Sequence, residues 1–199
     1  MRARELELML TKWTSRSQTD LDMRGRKLRA ANLVPTGGRA LNAPGVDASI
    51  TATILTSALS PFQAIDAVKG VKLYAPMVPL NKSLGDAPTF HKAIEMVLSD
   101  PELAKGAEIE FSILSPRGNG RGKIRWTDGE GTHEAAYYSP EDAKKFRETG
   151  GDPAKIGIAG TVSSNAVRGG LLELISLAIK DSKAPEGWSG EKAKYADAS

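Results

Sequence analysis

Cysteine is absent from the chain, histidine occurs twice, and aromatic residues make up only 6% of its 199 positions. Without cysteine there can be no disulfide, no thiol catalysis and no zinc finger, and a reducing cytoplasm is the natural setting. Scarce aromatics argue against stacking on single-stranded nucleic acid as a main binding mode. No apolar run approaches membrane-spanning length, and the start MRARELELML lacks a continuous apolar signal core. The expectation is a cytoplasmic protein with no membrane partner.

What is present is ordinary for a soluble globular chain: 40% hydrophobic and 26% charged residues, enough for one large or two small domains. The charge is unevenly placed. Residues 1–45 hold nine Lys/Arg against four acids, a balance of +5 where the whole chain carries +3, so the remainder is −2. Basic character gathered in one module is the electrostatic footprint expected of a nucleic-acid surface.

That module centres on residues 17–44, SQTDLDMRGRKLRAANLVPTGGRALNAP. Thr19 or Asp20 can cap a helix, and Leu21, Gly25, Leu28 and Ala31 then share one face, with Gly25 letting a neighbouring helix approach. Arg24, Arg26, Lys27 and Arg29 fall largely off that face. Asn32 suits a left-handed residue after the helix, and Leu33-Val34-Pro35 stops it. Before it, Leu6, Met9, Leu10 and Trp13 give a partner stripe at helical spacing over Glu5 to Trp13. An apolar inner stripe, a basic outer face and a glycine-arginine loop, Thr36-Gly37-Gly38-Arg39, form the outline of a winged helix-turn-helix. The plainer alternative, a solvated basic surface helix, has about even weight on composition alone.

On Arg26, Leu28, Arg29, Leu33, Pro35, Gly38 and Arg39, the run RKLRAANLVPTGGRALNAP resembles the winged helix-turn-helix in the broad MerR-like sense. It also resembles phage and prophage proteins of proteobacteria carrying Leu-Val-Pro-x-Gly-Gly-Arg. The likeness covers about the first third of the chain, and it lacks the recognition-helix aromatics and sensor cysteines of MerR-like regulators. It implies duplex-DNA binding without a MerR-style effector response.

Further on, Asp47 or Ser49 starts a helix with Ile50, Ile54, Leu55 and Leu59 inward. Pro61 opens another, with Phe62, Ile65 and Val68 inward up to Tyr74. Ala75 to Leu80 reads as a linker and a boundary. Pro88 opens a helix with Phe90, Ile94, Val97 and Leu98 on one side. The period then changes near residue 107 to alternation: Ile109 to Ile113, Lys123 to Thr127 and Thr132 to Tyr138 read as strands, the last two joined by Asp128-Gly129-Glu130-Gly131. A helix follows from Pro140 to Phe146. Ile156, Ile158 and Val162 suggest a fourth strand, and Ser164 or Asn165 a cap for a helix with Val167, Leu171, Leu174, Ile175 and Ala178 inward. Residues 181–199 read as a tail.

Little of this carries catalytic chemistry. Ser115 to Lys123, SPRGNGRGK, fails the spacing of a phosphate-binding loop and leads into a strand. A hairpin tip explains it better than a phosphate contact through Arg117, Arg121 and Lys123. Gly157, Gly160, Gly169 and Gly170 make no dinucleotide fingerprint. Glu108, Glu110, Asp128, Glu130 and Glu134 are most simply the exposed positions of strands. His91 reads as a surface residue rather than a metal ligand, and His133 points away from its neighbour Glu134. The expectation is no enzyme, no catalytic residue, no metal and no cofactor.

The sequence therefore predicts an α+β protein: a helical winged helix-turn-helix over residues 1–75, a helix-flanked antiparallel sheet domain for dimerisation or partner binding over 76–180, and the tail. Function follows as sequence-specific binding of double-stranded DNA by a homodimeric phage or prophage transcription regulator. Arg26, Arg29 and Asn32 would meet base edges, with Arg24 and Lys27 beside them. Arg16, Thr36, Gly37, Gly38 and Arg39 would contact backbone or minor groove. Two alternatives stand: a DNA-packaging component of the small-terminase kind or another nucleoprotein part, and a protein-binding adaptor with a basic helix.

Overall fold

The stretch after residue 107 supplies four strands of a five-stranded antiparallel sheet, and helical spacing before it becomes the layer that covers one sheet face. A computed structural model describes residues 1–36, 45–115, 119–151 and 160–182. The first helices are α1 (Ala3–Trp13) and α2 (Gln18–Ala30), followed by α3 (Ala48–Leu59) and α4 (Ala67–Tyr74). Then come the two-residue β1 (Val78–Pro79), α5 (Phe90–Ser99), α6 (Pro101–Lys105), β2 (Glu108–Ser115), β3 (Asn119–Asp128), β4 (Gly131–Tyr138), α7 (Pro140–Glu148), β5 (Gly160–Arg168) and α8 (Gly169–Ile179).

Strand order is β1-β4-β3-β2-β5, every neighbour antiparallel. The Asp128-Gly129 signal closes β3 onto β4: Asp128 pairs with Gly131, whose φ is +128°, and the Glu130 amide donates to Asp128 Oδ1 at 2.9 Å. Inward positions of the sheet, Ile109, Phe111, Ile124, Trp126, Ala135, Tyr137 and Val167, meet the helix layer. Phe111 receives Tyr74 and Phe90 edge-on, with ring centroids 5.1 and 5.2 Å away. Gly122 belongs to that packing, because a Cβ there would stand 2.5 Å from the Phe90 ring. Helix α3 is central. Every residue from Ile50 to Leu59 is buried, so it needs no polar face.

One hydrophobic core joins Leu6 at one end of the chain to Ile179 at the other. It runs unbroken across positions 75 and 76, where the sequence suggested a domain boundary, and Tyr74 donates its hydroxyl to the Ser112 carbonyl of β2 at 2.8 Å. Several local readings are corrected by that packing. Pro61 does not open a helix: a 3-10 turn at Ala64–Asp66 precedes α4, whose buried side is Ala67, Gly70, Val71 and Tyr74, and Ile65 is exposed. Ser164 and Asn165 cap nothing, since they lie in β5 opposite Ser112 and Phe111, and the helix begins at Gly169. His91 is buried, its Nε2 3.3 Å from Ser49 Oγ, because α5 packs closely on α3. Residues 152–159, with Ile156, Ile158 and Gly157, lie outside the described residues.

The other sheet face is open along most of its length and carries charge. Helix α7 closes only one end of it, where Leu114, Tyr138, Ala143 and Phe146 form a small separate cluster.

Candidate nucleic-acid interface

The basic segment is built on a tight pair of helices. Ser17 rather than Asp20 caps α2, its Oγ accepting the Asp20 amide at 3.1 Å. Leu21 and Leu28 are buried as their spacing predicts. Gly25 is the close-approach point: a Cβ there would come 2.3 Å from Oε1 of Glu7, which α1 presents to it. Burial pushes the Glu7 carboxyl above its ordinary 4.5, with the Asp22 charge adding to the rise and Arg29 and Arg4 opposing it. The helix ends at Asn32, with φ +54°. The Asn32 amide donates to Arg29 O at 3.0 Å and the Leu33 amide to Leu28 O at 2.9 Å, a Schellman closure that buries Leu33 and Val34 and leaves Asn32 exposed.

The arginines divide into two sets. Arg24, expected on the outer face, is 2% exposed and points inward. Its guanidinium bonds Asp20 Oδ2 at 2.6 Å and the carbonyls of Ser57 and Phe62. Arg16 joins it, donating to Ala58 O at 3.1 Å and Ser60 O at 2.9 Å. These carbonyls belong to the last turn of α3 and the chain just after it. That end carries unpaired acceptors and the negative end of the helix dipole, which two guanidinium groups satisfy. Burial, reinforced by the neighbouring charge of Arg24, lowers the pKa of Arg16. Arg16 and Arg24 are thus brackets inside the protein, not free contacts for a groove.

The outward ridge of α2 is Thr19, Met23, Arg26 and Ala30, all exposed, with Lys27 and Arg29 half-buried on its flanks. Its first half is neutral to acidic: Asp22 pairs with Arg4 and accepts from Gln18. Its second half is cationic. Arg26 makes a 3.4 Å bond to the Asp22 carbonyl, and neither it nor Lys27 has a carboxylate partner among the described residues. Arg29 stands 3.8 Å from Glu7 and is only loosely held. Asn32 and Thr36 are exposed just beyond the helix. Gly37, Gly38 and Arg39, the expected wing, lie outside the described residues. The structure therefore gathers Arg26, Lys27, Arg29, Asn32 and Thr36 at one end of α2, and removes Arg16 and Arg24 from the set. Met23, one turn from Arg26, is an apolar member that periodicity alone could have added.

The open sheet face is basic only in composition. Register places Arg168, Glu108, Arg125 and Glu134 side by side across four strands. Their contacts alternate in sign: Arg168 to Glu108 at 3.0 Å, Arg125 to Glu108 at 3.2 Å, Arg125 to Glu134 at 3.0 Å. In the next rows Glu110 holds Arg121 at 3.3 Å and Lys123 at 3.2 Å. Burial raises the Glu110 pKa, but hydrogen bonds from Ser112 and Lys123 and the two cations together hold it below the usual range. Arg121 and Lys123 are thus already occupied, and Arg117 lies outside the described residues.

One histidine contact escaped the sequence. His133 Nε2 lies 2.9 Å from Asp128 Oδ1, its Nδ1 lies 3.0 Å from Lys82 Nζ, and the ring stacks on Trp126. The register of the Asp128-Gly129 hairpin contains the Trp126–His133 pair, which was the available signal. Both ring nitrogens are engaged. Among the described residues no group of three or more His, Asp and Glu gathers as a metal site, and no helix is long and apolar enough to cross a membrane.

Comparison of the chain with protein-family models, with curated proteins and with solved structures gives no match.

Proposed function

We propose that this chain binds double-stranded DNA, sequence-specifically, through the C-terminal half of α2, as a cytoplasmic transcription regulator of phage or prophage type rather than an enzyme. The observation that carries the reading is the contrast in neutralisation. Arg26 stands outward, and neither it nor Lys27 on its flank meets a carboxylate among the described residues, while sheet cations such as Arg125 and Lys123 are matched by carboxylates in register. An unmatched cationic ridge beside a capped helix end suits a phosphate-lined groove. Arg26 would pair bidentately with a guanine edge and exposed Asn32 with an adenine, while Met23 would offer an apolar contact to a thymine methyl. Lys27 and Arg29, on the flanks, would take phosphates. Arg39, in the stretch whose glycines suggest a wing, would reach the minor groove.

Site selection on random duplex DNA tests this, followed by titration of the selected and a scrambled duplex. The reading predicts a recovered motif and binding to it roughly 10³-fold tighter than to the scrambled duplex at physiological salt. Absence of a motif, with no binding better than micromolar at low salt, would leave the basic ridge as a solvated or protein-binding surface and end the proposal.

A further inference from the structure

The sheet has two edges of unlike character. At one, β1 contributes two residues, and Arg147 takes up the carbonyls of Pro79 at 2.8 Å and Leu80 at 3.1 Å. That edge is short, carries a proline and is covered by a side chain. At the other, β5 runs nine residues from Gly160 to Arg168, and among the described residues no strand pairs with its outer side. A long free edge is a template for another strand, and chains that stay monomeric blunt it with lysine, proline or an inward charge. From Gly160 to Val167 this edge has none: the residues are Gly, Thr, Val, Ser, Ser, Asn, Ala and Val. The register shift opposite Ile113 and Leu114 leaves Ser163 to Arg168 regular.

Exposed apolar side chains stand on α1 and α8, the helices that begin or end beside β5. Helix α1 spans from the end of α8, where the Met1 amino group bonds Ser182 Oγ at 3.0 Å, to β5, where Trp13 lines a cleft with Asn165 and Ala166. Trp13 is 56% exposed, and Leu174 and Leu177 on α8 are 45% and 52% exposed. The exposed positions of α8 are Gly170, Leu174, Leu177 and Ala178, with half-buried Glu173 beside them. Exposed leucines grouped in this way mark protein contacts.

We infer that β5 pairs antiparallel with β5 of a second copy of this chain, joining two sheets into one of ten strands, with Trp13, Leu174 and Leu177 closing over the junction. A second copy fits better than a foreign peptide. Peptides that add a strand gain specificity from pockets for alternate side chains, and the cleft beside β5 is small and largely polar, about 140 Å³. Antiparallel pairing about a two-fold axis lets identical edges satisfy each other. The blunted β1 edge then stops growth at two copies rather than a fibre. This inference does not depend on DNA binding.

The test is solution mass together with amide exchange, on the full chain. Wild type at tens of micromolar should have twice the 21.2 kDa of one chain, and the amides of residues 163–168 should gain protection as concentration rises. Ser164→Lys adds a charge at an exposed edge position. It should weaken the dimer about tenfold or more, with an unchanged circular dichroism spectrum. Leu174→Lys with Leu177→Lys should weaken it as well. A single-chain mass for wild type overturns the inference. So does a dimer broken by the α8 variant but indifferent to Ser164→Lys, which would mean helix packing alone. Protection of 163–168 that is independent of concentration would mean the chain covers its own edge, and would overturn it too.

Discussion

Two surfaces of this molecule are rich in arginine and lysine, and they solve opposite problems. On the open sheet face each cation sits across from a carboxylate one strand away, so Glu108 and Glu110 between them hold Arg168, Arg125, Arg121 and Lys123. That lattice, four cations on Glu108, Glu110 and Glu134, lets a half-covered sheet face water with most of its charge neutralised in pairs. On α2 the acids lie in the first half, where they suit the positive end of the helix dipole, and the cations lie in the second, where Arg26 and Lys27 have no carboxylate among the described residues. Counting charge by segment ranks the N-terminal module as the basic one. Only geometry shows which of its cations remain available.

The sharpest break in the comparison is inside the basic segment itself. Arg24→Ala removes a buried guanidinium from Asp20 and from the Ser57 and Phe62 carbonyls, leaving Ser57 O only the Ser60 hydroxyl, so unfolding free energy in a urea titration should fall by about 3–5 kcal/mol. Lysine should not rescue it, lacking the planar fork that spans two carbonyls. Arg26→Ala should be its opposite: stability unchanged within about 0.5 kcal/mol, but roughly 1–3 kcal/mol lost in binding to a preferred duplex, with specificity relaxed at one base.

A smaller effect concerns Glu7. Its folded pKa is raised, so the fold favours the protonated acid. That contribution is whole below the ordinary 4.5 and is lost as pH climbs through the raised value. At pH 7 the buried charge is therefore a liability, and Glu7→Gln should raise the melting temperature by about 2–4 °C, the gap over wild type closing towards pH 4. The smallest change expected in stability is on the sheet, where removing exposed pairs with Glu108→Gln should alter unfolding by no more than about 0.5 kcal/mol. With Glu110→Gln added, it should free Arg168 and Arg121, leave Arg125 and Lys123 to Glu134, and give the sheet face a weak, sequence-blind affinity for DNA.

Much of the fold was legible because local chemistry and packing agreed. The Asp128-Gly129 turn fixed a hairpin, Asn32 fell in the left-handed position its chemistry favours, and alternation after residue 107 marked β2. Reading failed where distant partners decided. Val167 continues the helical spacing of Leu171, Leu174 and Ile175, so β5 looked like the first turn of α8, yet β2 supplies a ladder for Ser163 to Arg168. Arg24 looked like an outward cation, because the carbonyls that hold it lie 33 and 38 residues away. The same limit hid His133, whose partner Lys82 comes from another part of the chain. At the candidate site the helix and its outward Arg26 and Asn32 were legible, but the division of its arginines into brackets and free cations was not.

The central claim is that free cations on α2, and not matched ones on the sheet, make the DNA surface. The most direct measurement is the salt dependence of duplex binding by fluorescence titration, comparing wild type with Arg26→Ala/Lys27→Ala and with Lys123→Ala/Arg125→Ala. The account predicts that the first pair weakens binding, relaxes specificity through Arg26 and lowers the slope of log affinity against log salt by about one through the lost phosphate contact of Lys27, while the second leaves the slope unchanged. A slope lowered by the sheet pair but not by the α2 pair would contradict it, as would duplex binding no better than micromolar at low salt for all three proteins.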